Sequence, residues 1–157
     1  PYVWRRSKAY PPADGEQMYI QMYCAGDYRC PVWSQCFRRE FLLNRRIRFV
    51  ENLIYEDELF TLQALLSAHR TAPLYEPLYL YRIRNGSITC SSPSLPKLAS
   101  LLRILLEEAE LCLSPQYSSE ARSCIVHAAR EMLKRTADSY RGLLSAMLQE
   151  KSNGSPA

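Results

Sequence analysis

Apolar residues recur every three or four positions in the middle and the C-terminal part of the chain, and this spacing predicts helices. The first predicted helix covers residues 56–69, and Pro73 follows its end. Two longer helices are predicted at residues 94–113 and 119–147, and the short loop between them indicates an antiparallel pair. Their apolar stripes consist of Leu95, Leu98, Leu102, Leu105, Ala109 and Leu113, and of Ala121, Ile125, Ala128, Met132, Thr136, Tyr140, Leu143 and Met147.

The other segments predict short strands, turns and two brief helices, so the expected fold class is α+β and helix-rich. Strands are predicted near the N-terminus and at residues 32–37, 74–75 and 78–84, which are rich in β-branched and aromatic side chains. Asn85-Gly86 is a strong tight-turn signal after the last of these strands. Brief helices are expected at residues 15–25 and 39–44, and Asn52 is expected to end an extended segment in a left-handed turn.

Composition limits the classes of function. The chain has 157 residues, 47% of them hydrophobic, which is enough for one domain with a core. Its net charge of +4 favours anionic partners such as nucleotide phosphates or lipid headgroups, but the scattered basic residues do not predict nucleic-acid binding. The six cysteines form no C-x-x-C pair and the two histidines stand apart, so reduced thiols are expected rather than a zinc site. The chain starts at Pro1 without a leader, and we expect it to be part of a longer protein.

Three consecutive carboxylates, those of Glu56, Asp57 and Glu58, open the helix at residues 56–69. The unpaired N–H groups of a first turn and the positive end of the helix dipole favour ionised carboxylates. An ionised carboxylate in a fixed position can accept a proton from a hydroxyl group, as a general base does. The alternative is that these acids only stabilise the helix, and the helical pattern alone favours that alternative.

A set of segments between residues 30 and 90 has a distinctive order and spacing. They are Trp33 to Phe37, Arg38-Arg39-Glu40-Phe41-Leu42, Ile47-Arg48-Phe49 with Glu51, Glu56-Asp57 with Phe60, and residues 78–88. As an ordered set they resemble the C-terminal half of bacterial family 2 glycosyltransferases of the GT-A fold. The resemblance implies that residues 1–92 form a partial GT-A-like α/β unit of short strands and helices.

In enzymes of that family, the Glu-Asp motif supplies the catalytic base. The resemblance therefore implies that Asp57 deprotonates an acceptor hydroxyl, which attacks the anomeric carbon of a nucleotide-activated sugar with inversion. Glu56 would orient Asp57 or contact the acceptor, and Trp33 would form part of the acceptor wall. Arg82 and Arg84 would neutralise the diphosphate of the leaving nucleotide, a role that suits a guanidinium fork. From the residues alone, two alternative interpretations remain open. Trp33 could be a buried core residue, and Arg82 and Arg84 could point to solvent.

The chain lacks the family's N-terminal half, whose Asp-x-Asp motif holds a divalent metal and the nucleotide diphosphate. Neither Asp14 nor Asp27 belongs to such a motif. A divalent metal, Mn or Mg, is therefore expected for the parent protein with its ligands outside this chain, and the isolated chain is expected to be inactive. The partners implied by the resemblance are a nucleotide-sugar donor and a saccharide or lipid-linked acceptor in cell-surface polysaccharide synthesis. The implied location is the cytoplasm, at the periphery of the inner membrane.

Residues 93–150, a helical extension, lie outside the resemblance, and residues 151–157 are expected to form a disordered polar tail. In the simpler of two interpretations, the extension only packs against the catalytic unit and stabilises it. A sharper hypothesis is that its basic residues contact an anionic membrane surface, namely Arg122, Arg130, Lys134, Arg135 and Arg141. Exposed helices would also allow a dimer. The alternative to an enzyme fragment is a helical protein-interaction module without catalysis.

Overall fold

Helices account for all the regular secondary structure in the part of the chain described by the computed structural model, residues 5–82 and 92–153. Each of the five helices begins within about one residue of its predicted position. They are α1 (Gly15–Cys24), α2 (Arg39–Asn44), α3 (Glu56–Ser67), α4 (Leu95–Leu113) and α5 (Ser119–Asn153), with a 3-10 turn at Val32–Ser34. The prediction of a disordered tail at residues 151–157 is wrong for residues 151–153, which continue α5. Residues 154–157 lie outside the described residues.

The predicted strands are absent from residues 5–82 and 92–153, so the prediction of a partial GT-A-like α/β unit is wrong for these residues. Residues 32–34 form a 3-10 turn, and residues 74–82 follow α3 without pairing to a neighbouring strand. A β-strand requires a second backbone beside it, and the one such pairing described is the isolated antiparallel bridge between Ala13 and Thr71. The Asn85-Gly86 turn and Arg84 lie outside the described residues.

Helix α3 is the centre of the fold and contacts α1, α4 and the 3-10 turn. Its first contact with α1 is very close: the Gly15 N–H donates a 2.7 Å hydrogen bond to the Ala68 carbonyl, just past the end of α3. A Cβ atom at position 15 would overlap the Leu65 carbonyl oxygen and lie 2.7 Å from its carbon. Glycine is therefore required where α1 begins.

The main core joins α1, α3 and α5. Its buried residues are Tyr19, Leu62, Leu66, Tyr117, Ala121, Cys124 and Ile125. The predicted stripe of α5 is confirmed over most of its length, because Ala121, Ile125, Met132 and Tyr140 are buried. The antiparallel arrangement of α4 and α5 is also observed: Cys112, near the end of α4, contacts the Arg122 carbonyl. At the other end, the Ser94 N–H before α4 donates to the Tyr140 hydroxyl at 3.4 Å.

Helix α4 buries a different face from the predicted one. The buried residues are Lys97, Ser100, Ile104 and Glu108, which follow each other at helical spacing. Four leucines on other faces are 46 to 82% exposed, namely Leu95, Leu102, Leu106 and Leu113. Leucine occupies so much of the circumference of α4 that periodicity does not select a face, and the contacts with α3 and α5 make the selection instead.

A polar network ties the N-terminal segment to the end of α1. The buried Asp27 carboxylate accepts hydrogen bonds from the Ser7 N–H at 2.8 and 2.9 Å and from the Tyr10 hydroxyl at 2.7 Å. Burial opposes ionisation, but the hydrogen bonds from Tyr10 and Ser7 outweigh it and lower the pKa of Asp27. Asp14, which like Asp27 belongs to no Asp-x-Asp motif, caps α1 by accepting a hydrogen bond from the Gln17 N–H at 3.0 Å. Both aspartates therefore serve the fold.

Candidate functional site

The candidate site is built on the first turn of α3, where the backbone is strained. Tyr55, the residue that precedes the helix, has φ of 66° and ψ of 35°. These angles lie in the left-handed region, which residues other than Gly and Asn rarely adopt. Strain of this kind persists where surrounding contacts enforce it, and it is common next to functional residues. Asn52, three residues earlier, has φ of 58°, as its turn was predicted to require.

Asp57 is half-buried in this turn. Burial, and next the charge of Glu56, raise the pKa of the Asp57 carboxyl, whereas hydrogen bonds from the backbone N–H groups of Asp57 and Glu58 act in the opposite direction. A raised pKa makes the carboxylate a stronger base, and the partial exposure leaves it accessible to a hydroxyl group. Glu56 is exposed beside it.

The next acid, Glu58, connects α3 to the loop that carries Trp33. Burial, and next the charge of the nearby Glu58 carboxyl, raise the pKa of the Cys30 thiol. One turn later, the Thr61 hydroxyl donates a 2.6 Å hydrogen bond to the Cys30 carbonyl and accepts one from the Gln35 amide at 3.4 Å. These bonds hold residues 30–35 against the first half of α3, and so bring the segment around Trp33 to the end of the helix that carries Asp57.

Trp33 is not a core residue. It is 38% exposed and forms an aromatic cluster with Tyr79 and Tyr81, which are also more than half exposed. The Tyr79 ring stacks on Trp33 at a centroid distance of 4.5 Å and an interplanar angle of 24°, and the Tyr81 ring does so at 5.1 Å and 8°. Stacked, partly exposed aromatic rings present a rigid apolar surface with polar edges. Arg82 is exposed immediately after Tyr81, whereas Arg84 lies outside the described residues.

A buried carboxyl on α4 lies close enough to Glu58 of α3 to interact with it electrostatically. Glu108 is 4% exposed, and its Oε2 atom has no hydrogen-bond partner among the described residues; the Tyr28 hydroxyl is likewise buried without one. Burial, and next the charge of Glu58, raise the pKa of Glu108 to about 7. The sequence pattern does not single out Glu108, because Glu107 and Glu110 lie close to it and three such acids resemble a solvated surface.

The described residues were also compared with the ligand clusters that hold metal ions. No group of three or more His, Cys, Asp and Glu side chains that could hold an ion is found among residues 5–82 and 92–153. The ligands of the divalent metal implied by the family resemblance were expected outside this chain, and we derive no step through that metal. In the same residues, no helix combines the length and apolar character needed to cross a membrane.

The sequence-predicted residues thus fall into two groups. Asp57, Glu56 and Trp33 belong to one scaffold formed by the first half of α3 and the loop hydrogen-bonded to it. Arg82 follows Tyr81, whose ring stacks on Trp33 of that scaffold. Comparisons of the chain with protein-family models, with curated proteins and with solved structures find no match.

Proposed function

We propose that this chain contributes the acceptor side of an inverting glycosyltransferase, with Asp57 as the general base. The observation that carries the proposal is the half-buried Asp57 carboxyl, whose pKa is raised, on the same scaffold as the exposed aromatic cluster of Trp33, Tyr79 and Tyr81. The apolar C–H faces of sugar rings pack against aromatic rings, and the ring hydroxyls then reach polar groups at the edge. The resemblance of residues 30–90 to family 2 glycosyltransferases supports the same function.

In the proposed reaction, Asp57 accepts the proton of an acceptor hydroxyl as its oxygen forms a bond to the anomeric carbon of the donor. The bond from that carbon to the nucleoside diphosphate breaks, and the diphosphate leaves with the electron pair. Attack from the opposite face inverts the configuration. Arg82, and Arg84 beyond the described residues, would neutralise the leaving charge. We propose that the nucleotide and its metal are held by residues outside this chain, in a cytoplasmic enzyme at the membrane periphery.

Replacing Asp57 with asparagine in the longest natural polypeptide that contains this chain is expected to lower kcat at least about a hundredfold, because the amide cannot accept the proton. The KM for the donor should change little, since the donor is bound elsewhere. Turnover is measured with a panel of nucleoside diphosphate sugars. Glu40→Gln, at an exposed acid on α2, is the matched control and should leave kcat unchanged. An Asp57→Asn enzyme with more than half of the wild-type kcat would rule out the proposed base.

Saccharide binding by the isolated chain should quench or shift the fluorescence of Trp33. The chain has two tryptophans, so a Trp4→Phe background leaves Trp33 as the single reporter. Tyr79→Ala removes one of the two stacked rings and should weaken the response to an oligosaccharide series about tenfold, in line with the energy of an aromatic pair. Tyr117→Phe, at a buried core position in the loop that connects α4 to α5, serves as the control. A response that is the same in all these variants would argue against the aromatic cluster as the acceptor surface.

One observation favours a second function, a helical protein-interaction module. The exposed leucines of α4, among them Leu106 at 65% and Leu113 at 82%, form an apolar surface without a partner in the described residues. This function requires no chemistry at Asp57. Absence of turnover in the wild-type polypeptide with the whole donor panel, together with stable association of the chain with itself or a protein partner, would favour this module over the transferase.

A further inference from the structure

One face of α5 near its N-terminus lines a shallow pocket together with a residue of α4. The pocket has a volume of about 510 Å³. Its lining residues are Cys112, Ser119, Arg122, Ser123, Val126, His127 and Arg130. Six of these seven residues recur on α5 at spacings of three and four, so their side chains occupy one side of the helix. We call this site the α5 pocket.

The cationic groups of the α5 pocket are not neutralised by the described residues. Arg122 uses its Nε to donate to the Ser118 carbonyl at 3.4 Å, and neither Arg122 nor Arg130 forms an ion pair among residues 5–82 and 92–153. His127 pairs through Nδ1 with the Tyr23 hydroxyl at 2.7 Å, which leaves its Nε2 for another partner.

No acid lines the pocket. The carboxylates on this part of α5, those of Glu120 and Glu131, are outside the lining residues, and Glu16 of α1 is occupied by the Ser118 N–H at 2.9 Å. The first turn of α5 adds the positive end of the helix dipole. Two guanidinium groups, an imidazole and the hydroxyls of Ser119 and Ser123 therefore line one shallow space with hydrogen-bond donors, and the two arginines add positive charge.

We propose that the α5 pocket binds a phosphoryl group, as a phosphate monoester or a diphosphate. A guanidinium fork matches two oxygens of a phosphate, and serine hydroxyls supply further donors to the remaining oxygens. The volume leaves room beside one phosphate for a second phosphate or an organic substituent. This site is separate from the Asp57 scaffold and does not depend on the proposed transferase function. The phosphoryl group comes either from a free metabolite or from a lipid headgroup.

Calorimetric titration of the whole chain with pyrophosphate tests the pocket directly. The double variant Arg122→Ala, Arg130→Ala is expected to bind at least about tenfold more weakly than the wild type, since two charge-assisted hydrogen-bonding groups are lost. The control Lys134→Ala, Arg141→Ala removes the same charge from the same helix outside the pocket and should bind as the wild type does. Equal weakening in both double variants would mean diffuse attraction and would overturn the proposal, as would a wild type that does not bind.

A second pair of variants and a vesicle-binding measurement complete the experiment. If the alanine variant loses its circular dichroism signal, Arg122→Lys with Arg130→Lys keeps the charge but removes the forks, and it should still bind more weakly than the wild type. Co-sedimentation with phosphatidylcholine vesicles, with and without phosphatidic acid, identifies the source. Binding that requires phosphatidic acid and that pyrophosphate displaces supports a lipid headgroup in the pocket. Pyrophosphate binding without vesicle binding supports a free metabolite, and vesicle binding that pyrophosphate does not displace contradicts the pocket.

Discussion

Alanine at position 15 is expected to destabilise the fold by on the order of 4 kcal/mol, although it adds a single methyl group. The new Cβ would overlap the Leu65 carbonyl oxygen and lie 3.0 Å from the Ala68 oxygen, and these are backbone atoms that cannot rotate away. Helix α1 would have to move off α3, which stretches the Gly15 to Ala68 hydrogen bond and loosens the packing of Tyr19 in the core.

Thermal unfolding followed by circular dichroism measures this effect, and the Tm should fall by roughly 8 to 16 °C. Gly142→Ala is the matched control, because Gly142 lies inside α5 and a Cβ atom added there would meet nothing within 4 Å. There the substitution should stabilise the helix by roughly 0.5 to 1 kcal/mol through helix propensity. Equal Tm values for the Gly15→Ala variant and the wild type would show that α1 and α3 do not approach each other this closely.

Glu108→Gln is expected to stabilise the chain by about 3 kcal/mol at pH 8 and to have little effect at pH 4.5. The folded state raises the pKa of Glu108 from its ordinary value of 4.5 to about 7, so the folded state binds this proton more tightly than the unfolded chain does. The free energy of unfolding therefore falls as the pH rises from about 4.5 to about 7, and the full destabilisation by the buried carboxylate is present above that range. Glutamine mimics the protonated carboxyl and escapes this cost.

Urea denaturation at a series of pH values measures the difference between the two proteins. Glu110→Gln, at an exposed position of the same helix, should reproduce the pH dependence of the wild type. A constant stability difference between Glu108→Gln and the wild type across pH 4.5 to 8 would contradict a buried, titrating carboxyl at this position.

Helical periodicity predicted where the helices lie better than which face they bury. On α5, polar residues separate the apolar ones, so the stripe containing Ile125 and Met132 could be identified and is buried. On α4, leucines surround most of the helix, and the buried face contains Lys97 and Glu108 instead. A face of that kind is selected by tertiary neighbours, which local spacing does not encode.

The strand predictions failed for a related reason. Alternation at residues 78–82 describes the side chains of an extended segment, but a strand also needs a partner backbone, and alternation carries no information about one. The position of Asp57 in the first turn of α3 was predicted correctly, because helical spacing is a local property, whereas its role as a general base stays a prediction. The stacking of Tyr79 and Tyr81 on Trp33 joins residues more than forty positions apart, and a single sequence gives no distance between them.

Helix α5 is much longer than its partner α4, so the two ends of α5 differ in their packing. At 1.5 Å per residue, the 35 residues of α5 extend roughly 52 Å, against roughly 28 Å for the 19 residues of α4. The start of α4 meets α5 at Tyr140, and none of the later α5 side chains whose burial is described is buried. Buried side chains thus anchor the helix to the core as far as Tyr140, whereas the described side chains beyond Tyr140 add no fully buried contact. The tertiary stabilisation of one continuous helix therefore changes along its length.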